Sequence, residues 1–195
     1  MNMKAALFSL LLTFAGTLNG MAAIDAYMRI VGETGFSETG TPANLSSLGF
    51  FPLGSVSIGV KNTVSIGTTS GGAGAGKATF KELTISKAPG KVSTDIFRKL
   101  VRGDHYQEVE IILVRSGVNT GGQIPYVMTF GLKLVMAQDL DYSVSDGDDV
   151  PEEKIVLQYG AIRVRYYKQD VAGVTTLDSE EVWSRVLNTA TYSAQ

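Results

Sequence analysis

The side chains most able to do chemistry are few and poorly placed for it. His105 is the only histidine and stands in Gly103-Asp104-His105-Tyr106, a turn running into a strand. No serine or carboxylate pattern around it makes it a catalytic base. The carboxylates Asp139, Asp141, Asp146, Asp148, Asp149, Glu152 and Glu153 are the donor type for calcium. Their spacing does not follow the D-x-[DN]-x-[DN]-G loop, and Gly147 with Pro151 marks a solvated turn between two strands. Gly71-x-x-x-x-Gly76-Lys77 comes within one residue of a phosphate loop. Ala78 stands where a hydroxyl would hold magnesium, and the following residues alternate as a strand instead of opening a helix, so the tract reads as a flexible connector. The chain has no cysteine, which excludes thiol nucleophiles, disulfides and cysteine-ligated metals. A pair of glycosidase carboxylates could sit in a barrel, yet nothing singles one out. The expectation is no enzyme, and no catalytic, cofactor or metal site; a hydrolase using carboxylates among Asp139 to Glu153 ranks last.

Spacing says more about architecture. Ile24, Ala26, Met28 and Ile30 alternate with Asp25, Tyr27 and Arg29, the period of a half-buried strand. Glu33 to Ser47 is a long loop rich in Gly, Thr, Ser and Asn, and it runs into Leu48-Gly-Phe-Phe-Pro-Leu53. Paired aromatics on such an arm suggest interaction anchors at Phe50 and Phe51; the plainer alternative is that they plug the domain's own core. Val56, Ile58 and Val60, then Val64 and Ile66, predict a second strand or hairpin, and Lys77 to Lys87 is strand-like. Ile96, Phe97, Leu100 and Val101 form one stripe of an amphipathic helix, capped by Ser93 or Thr94 and stopped by Gly103.

Three longer strands follow. Gln107 to Arg115 puts Val109, Ile111 and Leu113 on one face. Tyr126 to Asp141 places Tyr126, Met128, Phe130, Leu132, Leu134, Met136 and Leu140 on one face, a run long enough to need bending around a barrel. Lys154 to Lys168 buries Ile155, Leu157 and Tyr159 and then switches to Ile162, Val164 and Tyr166, which calls for a bulge at Gly160. A closed or nearly closed antiparallel barrel with a single helix accounts for these elements. In the tail, Val182, Trp183, Val186 and Leu187 recur at helical spacing behind Asp178 or Ser179 as a cap, and Trp183 is expected to pack on the barrel or on a neighbour.

Residues 1–23 read as a secretory leader: Lys4, an apolar run from Ala5 to Gly16, and small residues at Gly20-Met21-Ala22 or Met21-Ala22-Ala23. The run is shorter than the about 20 apolar residues a membrane anchor needs. Met21-Ala-Ala-Ile-Asp-Ala-Tyr-Met28 also reads as a start in its own right. Either the leader is genuine and the chain is exported, or translation begins at Met21. The remaining residues suffice for one domain, 24–170, with a 171–195 extension. A net charge of −2 with both signs interspersed argues against nucleic acid and against a polybasic membrane patch.

The stretch from Gly76 to Gly103, GKATFKELTISKAPGKVSTDIFRKLVRG, resembles the centre of the Hcp (haemolysin-coregulated protein) family of type VI secretion. Ala23 to Met28 is similar to its opening strand, Tyr126 to Val135 to its long middle strand, and Pro151 to Tyr166 to its closing strand. The resemblance covers roughly Ile24 to Tyr167, with the four stretches in family order. It implies a mainly β fold, an Hcp-like β-barrel of two antiparallel sheets with one flanking α-helix. It also implies homohexameric rings that stack into a tube, assemble in the cytoplasm, are driven out by a contractile sheath with its tip proteins, and carry effector proteins in the lumen. On that reading the Glu33 to Leu53 arm is a candidate ring-to-ring contact. Arg163 and Arg165, off the buried parity, would line a channel or face solvent. The runner-up is an exported β-barrel binding module, a monomer or discrete ring that takes a glycan, peptide or surface ligand.

Overall fold

The computed structural model describes residues 23–36, 38–66, 73–117 and 122–195. The leader through residue 22, most of the glycine-rich tract and most of the Gly117 to Gly122 turn lie outside the described residues. The elements in chain order are β1 (Ile24–Ile30), α1 (Ala43–Ser46), β2 (Phe51–Leu53), β3 (Ser55–Ser57), β4 (Val60–Ile66), β5 (Ala73–Phe80), β6 (Leu83–Lys87), α2 (Lys91–Arg102), β7 (Tyr106–Arg115), β8 (Tyr126–Ser143), β9 (Glu152–Gln169) and β10 (Thr175–Ser184). Eight strands form one antiparallel sheet in the order β2-β1-β7-β8-β9-β6-β3, with β10 on the remaining length of β9, while β4 and β5 make a separate two-stranded sheet. The fold is therefore mainly β: among the described residues it is a nearly closed barrel-like sheet plus one small sheet and one substantial helix.

The two ends of the strand order meet because β2 and β3 are consecutive in the chain. Only Gly54 separates them, and its N–H donates to the Ser86 carbonyl of β6 at 2.7 Å. This corner curls the sheet around an interior of Met28, Phe51, Leu83, Ile85, Ile96, Ile111, Leu132, Ile155 and Leu157, all fully buried. Each such side chain contributes about 1.5–3 kcal/mol of transfer free energy. The opposite face of β1 and β7 carries a second cluster of Tyr27, Leu45, Phe50, Ile112 and Val114. The arm from Glu33 to Phe50, with the short α1, folds back over that face and makes both faces of β1 apolar.

Alternation in β1 and β7 agrees with the sequence expectation, and so does the stop of α2, where Gly103 adopts φ 70°. The helix begins earlier than Ser93 or Thr94 would place it. Gly90 precedes it and donates its N–H to the Ser93 hydroxyl at 2.9 Å. Its buried face is Val92, Ser93 and Ile96, whereas Phe97 and Val101 are exposed, so the single apolar stripe read from the sequence is divided between core and solvent.

The face switch in the long strands is real, but no bulge makes it. The β8–β9 register runs unshifted past Gly160, and the irregularity lies further along at Ala137/Asp139. Both strands change faces on one rung, where Leu134 at φ 52° stands opposite Gly160. A Cβ on Gly160 would lie 2.9 Å from the Ala194 Cβ and 3.2 Å from the Leu134 Cβ, so close packing there requires glycine. In consequence the β8 residues do not share one face: Leu132 and Val135 are buried inside, Met136 is exposed, and Tyr126 packs with the outer cluster.

The expected C-terminal helix is absent. Thr175–Ser184 is strand β10, antiparallel to β9 from Thr175↔Gln169 to Ser184↔Ala161. Trp183 and Glu181 then point one way and Val182 the other, a two-residue period that the apolar spacing concealed.

Candidate functional site

Phe50 and Phe51 are 1% and 0% exposed. Adjacent residues of an extended chain point to opposite faces. Phe51 therefore enters the interior cluster and Phe50 the outer one, and the arm is pinned on both sides of the sheet. Arg29 completes the outer seat, with its guanidinium 4.9 Å from the Phe50 ring centroid and its Nε donating to Glu110 at 2.7 Å. Around α1 the arm leaves Pro42, Ala43, Asn44, Ser47 and Leu48 to solvent.

Lys87 and Glu153, both essentially buried, are direct partners across β6 and β9. The Lys87 ammonium donates to the Ala88 carbonyl at 2.7 Å and the Ser93 hydroxyl at 3.2 Å, and it faces Glu153 at 3.4 Å and Glu38 at 3.3 Å. The Ser93 hydroxyl donates to Glu153 at 2.6 Å. This network fastens the arm, through Glu38, and the start of α2 to the barrel wall. Glu153 is thus not part of the solvated acidic turn, although the rest of that cluster is exposed. Its position was legible, since Glu153 shares parity with Ile155 and Leu157, as Lys87 does with Leu83 and Ile85. A charge on a buried parity demands a buried partner.

His105 is exposed and hydrogen bonded to Gln107 at 3.0 Å. Tyr106, beside it, is buried and donates its hydroxyl to Asp95 at 2.8 Å. Burial, then that bond, pushes its pKa far above the ordinary value of 10.0. Among the described residues no three His, Cys, Asp or Glu side chains gather as a metal site, and Gly76 and Lys77 lie within strand β5.

After β10 the chain turns at Asn188 and brings Tyr192 over the outer face of β7, β8 and β9. Arg185 donates to the Tyr159 carbonyl at 2.8 Å and stacks on the Tyr159 ring at 4.7 Å. Tyr192 lies 4.3 Å from the Arg163 guanidinium and 4.8 Å from the Lys133 ammonium by ring centroid, and its hydroxyl donates to Glu108 at 2.9 Å. Burial and that hydrogen bond push its pKa well above 10.0. The ring fits because residue 131 is glycine: a Cβ there would stand 2.5 Å from the Tyr192 hydroxyl. Arg163 is thereby committed to the tail, and Arg165 to an ion pair with Glu180. Trp183 packs against the edge of the interior cluster and borders an apolar cavity of about 400 Å³ between the small hairpin and the main sheet.

A family model described as "Type VI secretion system effector, Hcp" matches residues 28–166, most of the sheet from β1 into β9. Among solved structures, one described as a type six secretion system protein superposes with a TM-score of 0.73 at 20% identity, covering 86% of this chain and 99% of that one. An Hcp protein of Salmonella typhimurium gives 0.62 at 16% identity, with 88% and 100% covered. A type VI secretion system effector of Yersinia pestis gives 0.54 at 16%, with 82% and 99% covered. At these identities the structural likeness establishes the fold. No curated protein matches the chain.

Proposed function

The chain belongs to the Hcp family of type VI secretion system proteins, a structural and non-enzymatic family whose members are secreted by that system, and from this premise we propose that it is a subunit of the secretion tube which assembles as hexameric rings that stack. The observation that carries the reading is the family match, which takes in the interior cluster's buried residues, most of the outer cluster, all of β8 and most of β9. A tube needs surfaces on opposite flanks that are complementary to each other and no active site, since a head-to-tail contact closes into a ring when its rotation closes. Several surfaces of one subunit suit such contacts. Leu48 of the arm, 47% exposed, and Tyr142 and Val144 at the end of β8, 53% and 69% exposed, are apolar surface that a neighbour can cover. Phe97 and Val101 of α2, 53% and 63% exposed, offer apolar contact.

On the same reading the Glu33 to Leu53 arm meets the next ring through Leu48 and its exposed neighbours, with Phe50 and Phe51 holding the arm from beneath. The sheath, the tip proteins and effector cargo are the partners this function calls for. Electron microscopy of the purified chain tests it: six-fold rings that stack as concentration rises are expected. Monomers at every concentration would contradict it.

A further inference from the structure

Strands β5 and β10 both border one apolar cavity, and each presents an open edge beside it. Among the described residues β5 pairs with no strand but β4, and β10 with none but β9, apart from a bridge between Ser184 and Thr189 at the end of β10. Lys81 donates its N–H to the Gly59 carbonyl at 2.8 Å, which makes 59/81 a bonded rung, and Lys61/Thr79 is the next. The N–H and C=O groups of Ala78 and Phe80 therefore point away from β4. In β10, Arg185 donates to the Gly160 carbonyl at 2.7 Å, so Trp183 and Glu181 bond toward β9 while the backbone of Val182 points outward.

Ala78, Phe80 and Val182 all border the same cavity of about 400 Å³, floored by Phe130, Ile162 and Val164. Two open edges thus flank one apolar floor. Glu181 stands across from Val164 on the cavity side, and among the described residues its exposed carboxylate has neither hydrogen bond nor ion pair. An unpaired carboxylate beside an apolar floor selects a ligand that brings an apolar group and a cation together.

We propose that this slot takes up an extended peptide segment of a partner protein as an added β-strand, with an aliphatic or aromatic side chain in the cavity and a basic side chain two residues along on Glu181. Main-chain bonds to the open edges would supply affinity, and the alternate side chains that face the floor would supply selection. The slot is built within one subunit, so peptide binding by a chain that forms no rings would support this proposal while contradicting the tube reading.

Trp183 is the only tryptophan of the chain and borders the cavity, so its fluorescence reports occupancy. The probe is the acetylated and amidated heptapeptide Thr-Val-Thr-Phe-Thr-Lys-Thr, in which Phe and Lys share a face. A saturable change in Trp183 emission is expected, lost when proline replaces the threonine between Phe and Lys, and weakened when glutamate replaces the lysine. Ala78→Pro removes an N–H aimed at the slot and spares the β4–β5 ladder; it is expected to weaken binding about tenfold with little change in melting temperature. Glu181→Gln, an exposed change that leaves folding intact, is expected to cost the lysine peptide about threefold and a norleucine peptide nothing. No saturable change, or equal binding of the lysine, glutamate and proline peptides, overturns the proposal. So does a Trp183 signal that moves with protein concentration alone, which would mean that a second copy fills the slot.

Discussion

The arm and the C-terminal tail cover the same outer face of the sheet, and they are held there differently. The arm contributes Leu45 and Phe50 to a cluster with Tyr27, Ile112 and Val114 and passes Phe51 through to the interior. The tail contributes Tyr192, seated between Arg163 and Lys133 with its hydroxyl on Glu108. Apolar burial holds no charge for salt to screen, whereas the tail's seat is built of partly exposed charges, with the Arg163 and Glu108 side chains 21% and 27% exposed, which salt screens over about 10 Å at 0.1 M. The arm is therefore part of what makes the barrel fold. The tail is a cover that can open while the barrel stands.

The largest effects should fall on the arm and on the ion pair beneath it. Phe51→Ala is expected to cost about 3–5 kcal/mol of unfolding free energy in urea, because a fully buried ring leaves a cavity that the barrel cannot close. Phe50→Ala should cost a comparable amount. Lys87→Met should cost about 3–5 kcal/mol by leaving Glu153 charged and unpaired in the wall. Adding Glu153→Leu to Lys87→Met should recover most of that loss; if the double variant is no better than the single, the pair is not the reason.

The tail should respond at a smaller scale. Tyr192→Ala is expected to cost about 2 kcal/mol, summing two cation–π contacts and one charged hydrogen bond. Gly131→Ala should open the tail without altering any tail residue. Hydrogen exchange over residues 185–195 should rise in both variants, and in wild type with added salt, while the arm stays protected. Equal salt sensitivity of arm and tail would remove the distinction between them.

High pH gives a further separation. Tyr106 and Tyr192 have folded pKa values raised by burial and by hydrogen bonds to carboxylates. Their contribution is fully present below the unfolded value of 10.0 and declines as pH rises above it, where the unfolded chain holds fewer protons than the folded one. The slope is up to about 1.4 kcal/mol per pH unit for each tyrosine. Urea midpoints that stay flat above pH 10.0 would contradict this. Tyr192→Phe, the mildest change, should cost about 1 kcal/mol and remove one tyrosine's share of that slope.

Local signals made β1, β7 and the stop of α2 at Gly103 legible in the sequence, because each is decided by residues within a few positions, whereas α2 starts just after Gly90, ahead of the Ser93 or Thr94 cap that the sequence suggests. The features that depend on distant partners were harder to see. Adjacent Phe50 and Phe51 looked like paired anchors on a loop, and only the sheet between the two clusters shows that they go opposite ways. Val182, Trp183, Val186 and Leu187 have helical spacing, but they belong to a strand and to the turn after it. The strand is fixed by its pairing with Ile162 and Arg163 of the preceding strand, β9. The face switch of β9 was visible, yet its device was not, since Leu134 at φ 52° follows no local sequence rule. The lone carboxylate of Glu181 and the tyrosine seat at Gly131 arise from packing between segments that the sequence does not show to be neighbours. Lys87 and Glu153 are the instructive middle case: both parities were readable, and only their pairing needed the structure.

The most direct test of the central claim is the subunit count of the purified chain by native mass spectrometry at micromolar concentration. A dominant six-subunit species, with multiples of six appearing as concentration rises, is the outcome expected of a tube subunit. A monomer that persists across the whole range would contradict it.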